Sequence, residues 1–420
     1  MEDAEVPEFF ICPISLQIMK DPVIAITGIT YDRSSIEKWL SHGHDAICPV
    51  SKQPLPRNST LTPNRILSKL IQTWHTTNSK PTIDHHVPDP DDYMITKPYI
   101  TTLLANLSNP DLFMKSLTNL EVVAAMAKEN YVYGKLLVEA GVAKAMVSFV
   151  ITCYKNSKTH GLLLALYILL LIYKISPSKT REYILLAKTD EIIDSLIWAL
   201  GISSCDHTTT KAIRNHAMIL LKIFVENTSS NLQEKLKPDF FKTIVNALSK
   251  TSLMTQHGTK AALHIMFGAC TVGKNRIMMV EAGAVFVIIE LELSGLVREK
   301  RTSELSMQVL FNLCRSADGR AELLRHAAGI AVVTKRMMKV SPMLDEAAVS
   351  IISLISKFSG TDWVVNEMLR VGTVSRLCMV LQSNCDSGLK EKAMEILRRH
   401  THVWKDSPCA DHLLLTMYTK

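Results

Sequence analysis

The residues best equipped for chemistry stand near the start of this 420-residue chain: Cys12 and Cys48, each followed by a proline, with His42, His44 and His75 nearby and Lys52 just beyond the second cysteine. Two chemistries would use such a set. A thiolate could carry an acyl group as a covalent intermediate, or thiols and imidazoles could ligate zinc. Structural zinc takes four ligands per ion, usually from closely paired positions, and no CxxC occurs here, so two zinc sites cannot be assembled from these residues. Cys12 lies in an apolar stretch beside Pro13 with no His or basic activator next to it in sequence, which predicts a small buried group and not a nucleophile; Cys48 is read the same way. The loops around both cysteines must then be held by packing and hydrogen bonds.

The elements that position these residues follow from turn chemistry. Asp21 and Pro22 form a turn into a strand over Val23 to Ile26, Thr27-Gly28 reverses the chain, and Ile29 to Tyr31 return as the second arm of a hairpin. Asp32 can cap a helix in which Ile36 and Leu40 share a face beside Trp39. Cys48-Pro49 begins a second irregular loop. Thr62-Pro63 predicts the cap and first-turn proline of a closing helix striped by Ile66, Leu67, Leu70, Ile71 and Trp74.

Two loops around one hairpin and one helix is the layout of a RING finger without its zinc ligands. The phrases ICPISLQIMKDPVIAITGITYDRSSIEKWL and CPVSKQPLPRNSTLTPNRILSKLIQTW closely resemble the U-box, the zinc-free relative of the RING finger. The Cys-Pro-Ile, Asp-Pro-Val, Thr-Gly, Tyr-Asp-Arg, Ile-x-x-Trp and Cys-Pro elements follow in order, with Cys12, Pro13, Asp21, Pro22, Gly28 and Cys48 as structural positions. The resemblance implies a ubiquitin ligase that binds a ubiquitin-conjugating enzyme carrying ubiquitin as a thioester, forms no covalent intermediate and needs no cofactor. Its acceleration comes from orientation and proximity. Carried over residue by residue, the resemblance puts the docking surface at Ile14 in the first loop, Trp39 on the helix, and Pro49 and Val50 in the second loop. Lys52 stands where the family can place a cation that bridges conjugating enzyme and ubiquitin; as Lys it offers a point charge without the planar fork of Arg.

Beyond residue 79 the texture changes. Residues 80–98, with Pro81, Pro88, Pro90 and Pro98 among acidic residues and His85 and His86, read as a linker. From residue 99 the sequence repeats. VEAGV at Val138 to Val142 and VEAGA at Val280 to Ala284 are the clearest copies, and Gly141, Asp190, Asp239, Gly283, Gly329 and Gly372 recur at intervals of 49, 49, 44, 46 and 43 residues. A short turn with φ > 0 is expected at each, after an apolar helix such as Leu162 to Tyr173, Ala261 to Cys270 or Met307 to Cys314. Units of about 40 to 47 residues bury their faces only against neighbours and stack into a superhelix. Text such as SMQVLFNLCRSADGRAELLRHAAGI resembles an armadillo repeat, and a U-box followed by such repeats resembles the plant U-box ligases, a family that often acts in stress and immune signalling. The fold expected is mainly α: a small α+β zinc-free module over 5–79, the linker, an all-α armadillo superhelix over 99–404 that holds protein substrates, and a tail over 405–420.

Composition narrows the alternatives. Hydrophobic residues make up 47% and aromatics only 6%, which suits stacked helices. A net charge of +7 without a long basic block argues against nucleic acid. The apolar run Gly161 to Tyr173 is shorter than the roughly 18 to 20 residues a membrane span needs and predicts a buried core helix. Nine scattered cysteines point to reduced thiols in a cytosolic or nuclear setting, and the acidic Met1 to Glu8 lacks the apolar stretch of a secretory signal. Two competing functions remain: a scaffold whose first module only mediates contacts, and a nuclear import receptor. The import receptors carry a regular ladder of Trp and Asn, whereas Trp198, Trp363 and Trp404 fall at unrelated repeat positions.

Overall fold

The computed structural model describes residues 6–41, 47–56, 58–68, 70–71, 95–128, 130–176, 189–203, 206–227, 234–295, 297 and 299–404. His42, His44, Trp74, His75, His85, His86, most of the stretch read as a linker and the tail 405–420 lie outside the described residues. The chain divides into two compact units, Met1–Tyr93 and Met94–Lys420.

In the first unit, strand β1 (Pro22–Ile24) pairs antiparallel with β2 (Thr30–Asp32), and the reversal between them uses Gly28 at φ +79°. The loop closes early, through Ala25 N–H to Ile29 O at 3.0 Å and Gly28 N–H to Ala25 O at 2.9 Å, so Ile26 falls outside the strand and is exposed. Helix α1 (Arg33–Ser41) follows β2 without a break and buries Ile36. Thr62-Pro63 is not a helix start: it forms β3, a short strand added to the free edge of β1. An edge tolerates proline because its N–H is not needed there. The following helical turn is capped two residues after the expected Thr62, by Asn64 Oδ1 accepting from Leu67 N–H at 3.1 Å. Leu67 and Ile71 are buried, but Ile66 and Leu70 are exposed, so the anticipated apolar stripe is only half covered.

The second unit is a series of three-helix repeats. Complete examples are Tyr131–Glu139, Val142–Lys155 and Leu162–Ile175, then Gly273–Glu281, Ala284–Leu293 and Lys300–Cys314, then Ala317–Arg325, Gly329–Arg336 and Pro342–Phe358, and last Asp362–Arg370, Thr373–Gln382 and Ser387–Arg399. The third helices pack in a row, each against the next. One hydrophobic core runs the length of the unit, and Leu162–Ile175 lies inside it with Leu162, Ala165, Leu166 and Ile168 wholly buried, as a core helix should. Among the described residues no single helix is long and apolar enough to cross a membrane.

The recurring glycine corner resolves into different devices. Gly141, Gly283 and Gly372 take φ of 76°, 84° and 82° and begin the second helix of their repeats, as expected. Gly329 does not: it is the first residue of its helix, and a Cβ there would meet Leu323 O at 2.0 Å, so glycine is required by close approach and not by a left-handed backbone. Asp190 and Asp239 also differ from the expected turn, since each sits in the first turn of a helix, Thr189–Gly201 and Pro238–Ser249, where a carboxylate complements the helix dipole. A further recurrent contact joins repeats. Arg320 Nη1 donates to the carbonyls of Cys314, Arg315 and Ser316 at 3.0–3.3 Å, and Arg276 Nη1 donates to Cys270 O at 2.7 Å, so in these two repeats an arginine satisfies open carbonyls that end the helix before it.

Candidate functional site

The loops around the two cysteines are the same structure built twice. Ile11 bridges Ile18 and Ile47 bridges Pro54. Inside each bridge the cysteine N–H donates to a glutamine carbonyl, Cys12 to Gln17 and Cys48 to Gln53, both at 2.8 Å. The cysteine carbonyl then accepts from Leu16 N–H at 2.8 Å or Lys52 N–H at 3.1 Å. Leu16 and Lys52 both adopt the left-handed region, at φ 56° and 58°. ICPISLQI and ICPVSKQP, aligned, carry this duplication in plain sight. The shared hydrogen bonds are backbone, so the local fold tolerates an apolar residue at one tip and a cation at the other.

Both loops converge on β2. Cys12 and Cys48 are wholly buried, but neither behaves as a merely apolar filler. Asp32 N–H donates to Cys12 Sγ at 3.3 Å, while Cys48 Sγ lies 2.9 Å from the Tyr31 hydroxyl and accepts from Thr27 Oγ1 at 3.5 Å and Ser51 N–H at 3.4 Å. Burial by itself would raise both thiols, yet hydrogen bonds outweigh it: those of Asp32, Ser15 and Ile14 hold Cys12 below its ordinary value, and those of Ser51, Thr27 and Tyr31 bring Cys48 down to about 6. Burial and the neighbouring Cys48 push Tyr31 well above the usual phenol range. A thiol that takes up an acyl group from another protein must be exposed to it, and these two are wholly buried. Among the described residues there is no group of three or more His, Cys, Asp or Glu able to hold a metal ion.

Asp32 is the other fixed point. One carboxylate oxygen accepts from the N–H groups of Lys20 at 2.8 Å and Asp21 at 2.9 Å, and the other accepts from the Ser34 hydroxyl at 2.8 Å. Burial would raise this carboxyl, but the bonds from Asp21, Ser34 and Lys20 keep it below the ordinary range. Asp21 adds an ion pair to Arg33 at 2.6 Å on the surface.

The residues singled out from the sequence distribute over the two loops and α1. Ile14 is half-buried, packed on the small core, and Pro13 beside it is exposed. Trp39 is half-buried, and its indole N–H donates to Ile47 O at 3.2 Å, which ties α1 to the second loop. Pro49 is half-buried; Val50 and Lys52 are exposed. Pro22 is buried at the start of β1, Asp21 is exposed just before it, and Gly28 occupies the hairpin tip. Sequence reasoning missed Leu16, 76% exposed at the first-loop tip, and the holding roles of Tyr31 and Asp32. The internal duplication was the signal for Leu16. Nothing in a single sequence announces a thiol as a hydrogen-bond acceptor.

On the second unit a cleft of ≈ 320 Å³ opens between successive third helices, walled by Phe267, Phe311, Met343 and Ala347 and edged by Gln308 and Asn312. Lys392 closes one side, bonded to Glu346 Oε1 and, at 3.3 Å, to Ser350 Oγ. Of the three tryptophans, Trp404 is wholly buried with its indole on Val365 O, Trp198 packs on Tyr154, and Trp363 is exposed, so they form no ladder.

Comparison with known proteins covers both units. The U-box domain matches residues 6–80, and the plant U-box protein ARM repeat region matches residues 100–420. The E3 ubiquitin-protein ligase PUB24 of Arabidopsis thaliana is 38% identical over 461 aligned residues, covering 99% of this chain and 96% of the relative. PUB23 and PUB22 of the same plant, also E3 ubiquitin-protein ligases, are 38% and 35% identical, each covering 99% of this chain and 98% and 99% of the relative.

Proposed function

The chain belongs to the plant U-box family of armadillo-repeat ubiquitin-protein ligases and is a ubiquitin transferase, and from that premise we propose how its two units divide the work. The first unit recruits a ubiquitin-conjugating enzyme loaded with ubiquitin, through Ile14, Leu16, Trp39, Pro49 and Val50. Lys52 lies beside this apolar patch and offers a charge to the ubiquitin or the carrier. The observation that carries this reading is the paired loop: two near-copies hold Leu16 and Val50 outward, although the Leu16 side chain packs on nothing there and its left-handed backbone costs about 1 to 2 kcal/mol. A small apolar patch with a proline-stiffened rim suits weak, exchanging binding.

Transfer follows without a covalent intermediate on the ligase. The thioester stays on the conjugating enzyme until a neutral substrate lysine attacks its carbonyl carbon; the amide C–N bond forms as the C–S bond breaks, the conjugating enzyme's cysteine leaves as the thiolate, and the ligase supplies orientation and proximity. The armadillo unit holds the protein substrate, and the cleft around Phe267 and Phe311 takes a neutral aromatic or aliphatic side chain of it, because its only charges, Glu346 and Lys392, neutralise each other. The setting is the cytosol or nucleus of a plant cell, in stress or immune signalling.

Self-ubiquitination with a loaded conjugating enzyme tests the docking surface. The native chain is active, and Val50→Arg and Leu16→Arg, which leave the core untouched, abolish transfer. Undiminished activity in both variants would reject the surface.

A further inference from the structure

We infer that the armadillo unit selects substrates by two features at a set spacing: an acidic residue held around Tyr167 and His216, and the neutral apolar side chain that enters the cleft. This rests on the reading that the unit holds a protein substrate, and it names the class. The helices Leu162–Ile175, His207–Asn227, Gln256–Ala269 and Lys300–Cys314 pack in succession, and their outward residues form one continuous face. Tyr167 stacks on His216 of the next helix, with ring centroids 5.5 Å apart and planes at 25°. His216, Ile219, Lys222 and Glu226 fall at the three- and four-residue spacing of a single stripe. The charges of Lys222 and Glu226 reach His264 on the following helix, three residues before Phe267, which walls the cleft.

Charge is unevenly balanced along this face. Lys222 pairs with Glu226 at 3.6 Å, Lys260 with Glu299 at 2.7 Å, and Lys392 with Glu346. Lys128 and Lys174, both exposed, form no ion pair among the described residues, and both gather at the Tyr167–His216 stack. Lys128 Nζ donates to the Tyr167 hydroxyl at 3.5 Å and lies 5.8 Å from the ring centroid. Burial, and after it the charge of Lys174, hold the His216 imidazole below its ordinary value. His216 makes no hydrogen bond among the described residues, and its Nδ1 is buried without a partner. Two uncompensated cations beside an aromatic shelf favour a carboxylate, which meets both charges and accepts from the Tyr167 hydroxyl. Two to three helix spacings of about 9 Å separate the shelf from the cleft. An extended chain covers that span in about five to eight residues.

Selection from a random peptide library displayed on phage, with the full chain as bait, tests both features at once. The expected peptides carry Asp or Glu about five to eight residues from a Phe, Leu or Met. With Lys128→Glu and Lys174→Glu combined, the acidic preference disappears and the apolar one remains; with Phe311→Ala the apolar preference disappears and the acidic one remains. A selected peptide, synthesised with a fluorescent label, should bind the lysine double variant about tenfold more weakly, and the gap should narrow as salt rises. Selection of basic peptides, of no common pattern, or of the same peptides by the native chain and the lysine variant would overturn the inference. Tighter binding of a single-stranded RNA than of any selected peptide would overturn it as well, making the shelf a site for stacked bases. A native chain that does not self-ubiquitinate would overturn the ligase reading instead, and the selected peptides would still report what this face holds.

Discussion

Between Glu8 and Ile71 the chain orders two loops with one carboxylate, one phenol and two buried thiols, around a core of barely a dozen side chains; between Lys97 and Trp404 it buries whole apolar faces of helix on helix. The first arrangement is directional. Each hydrogen bond fixes one segment. The second is distributed, with each repeat supported by its neighbours, so a local loss costs stability near the break and little elsewhere. The contrast suits the proposed division of work: transfer needs a few atoms held accurately, whereas a substrate surface needs extent.

The largest expected effect on transfer tests the directional side. Trp39→Ala removes both an aromatic contact and the bond to Ile47 O, and should cost about 2 kcal/mol or more in carrier binding, near thirtyfold in affinity, with unchanged melting of the repeat unit. If calorimetry shows the repeat unit melting lower in this variant, the loss is one of folding and not of docking.

Next comes a charge buried in the distributed side. Glu292 has no accessible side-chain surface and is held by Arg336 of the next repeat and by Ser303 and Ser306. Glu292→Ala should destabilise the repeat unit by about 3 to 5 kcal/mol, because it leaves Arg336 unpaired, whereas Glu292→Leu combined with Arg336→Met should be close to neutral. Denaturant unfolding of the single and double variants distinguishes these, and equal losses in both would show that the pair itself stabilises the repeats.

The glycine corner gives a finer contrast. Gly329→Ala drives a methyl group into Leu323 O and should cost about 2 to 3 kcal/mol, while Gly141→Ala meets no atom within 4 Å and should cost only the strain of its backbone, about 1 kcal/mol. Melting temperatures of the two variants in the full chain give the order, and a reversed order would mean that the helix start at Gly329 relaxes freely.

A last contrast concerns pH. Cys48 titrates near 6 in the fold against an ordinary 9.0, so the stability it adds is fully present above the unfolded value and fades as pH falls through the folded one. The first unit should therefore gain stability from pH 6 to 9, and Cys48→Ser should flatten that rise. A native profile already flat over this range would show that Cys48 stays a neutral thiol.

Much of this was legible in advance. Hairpin, helix and repeat period are local or periodic properties, written in Thr27-Gly28, in Ile36 with Leu40, and in the return of Gly141 as Gly283 and Gly372. Thr62-Pro63 misled because its helix-start signal was overridden by the free edge of β1, a partner far away in sequence. Gly329 fitted the period for a different reason, the nearness of a carbonyl six residues back.

The sequence alone determined the family, the zinc-poor composition of the loops, and the alternation of apolar positions that must be buried. Only the tertiary structure decided what replaces a ligand set: that Tyr31 meets Cys48, that Asp32 gathers the amides of Lys20 and Asp21, and that Leu16 is left facing solvent. Hydrogen bonds between distant residues depend on distances of a few tenths of an ångström, and those are set by the packing of the whole unit and by no local pattern.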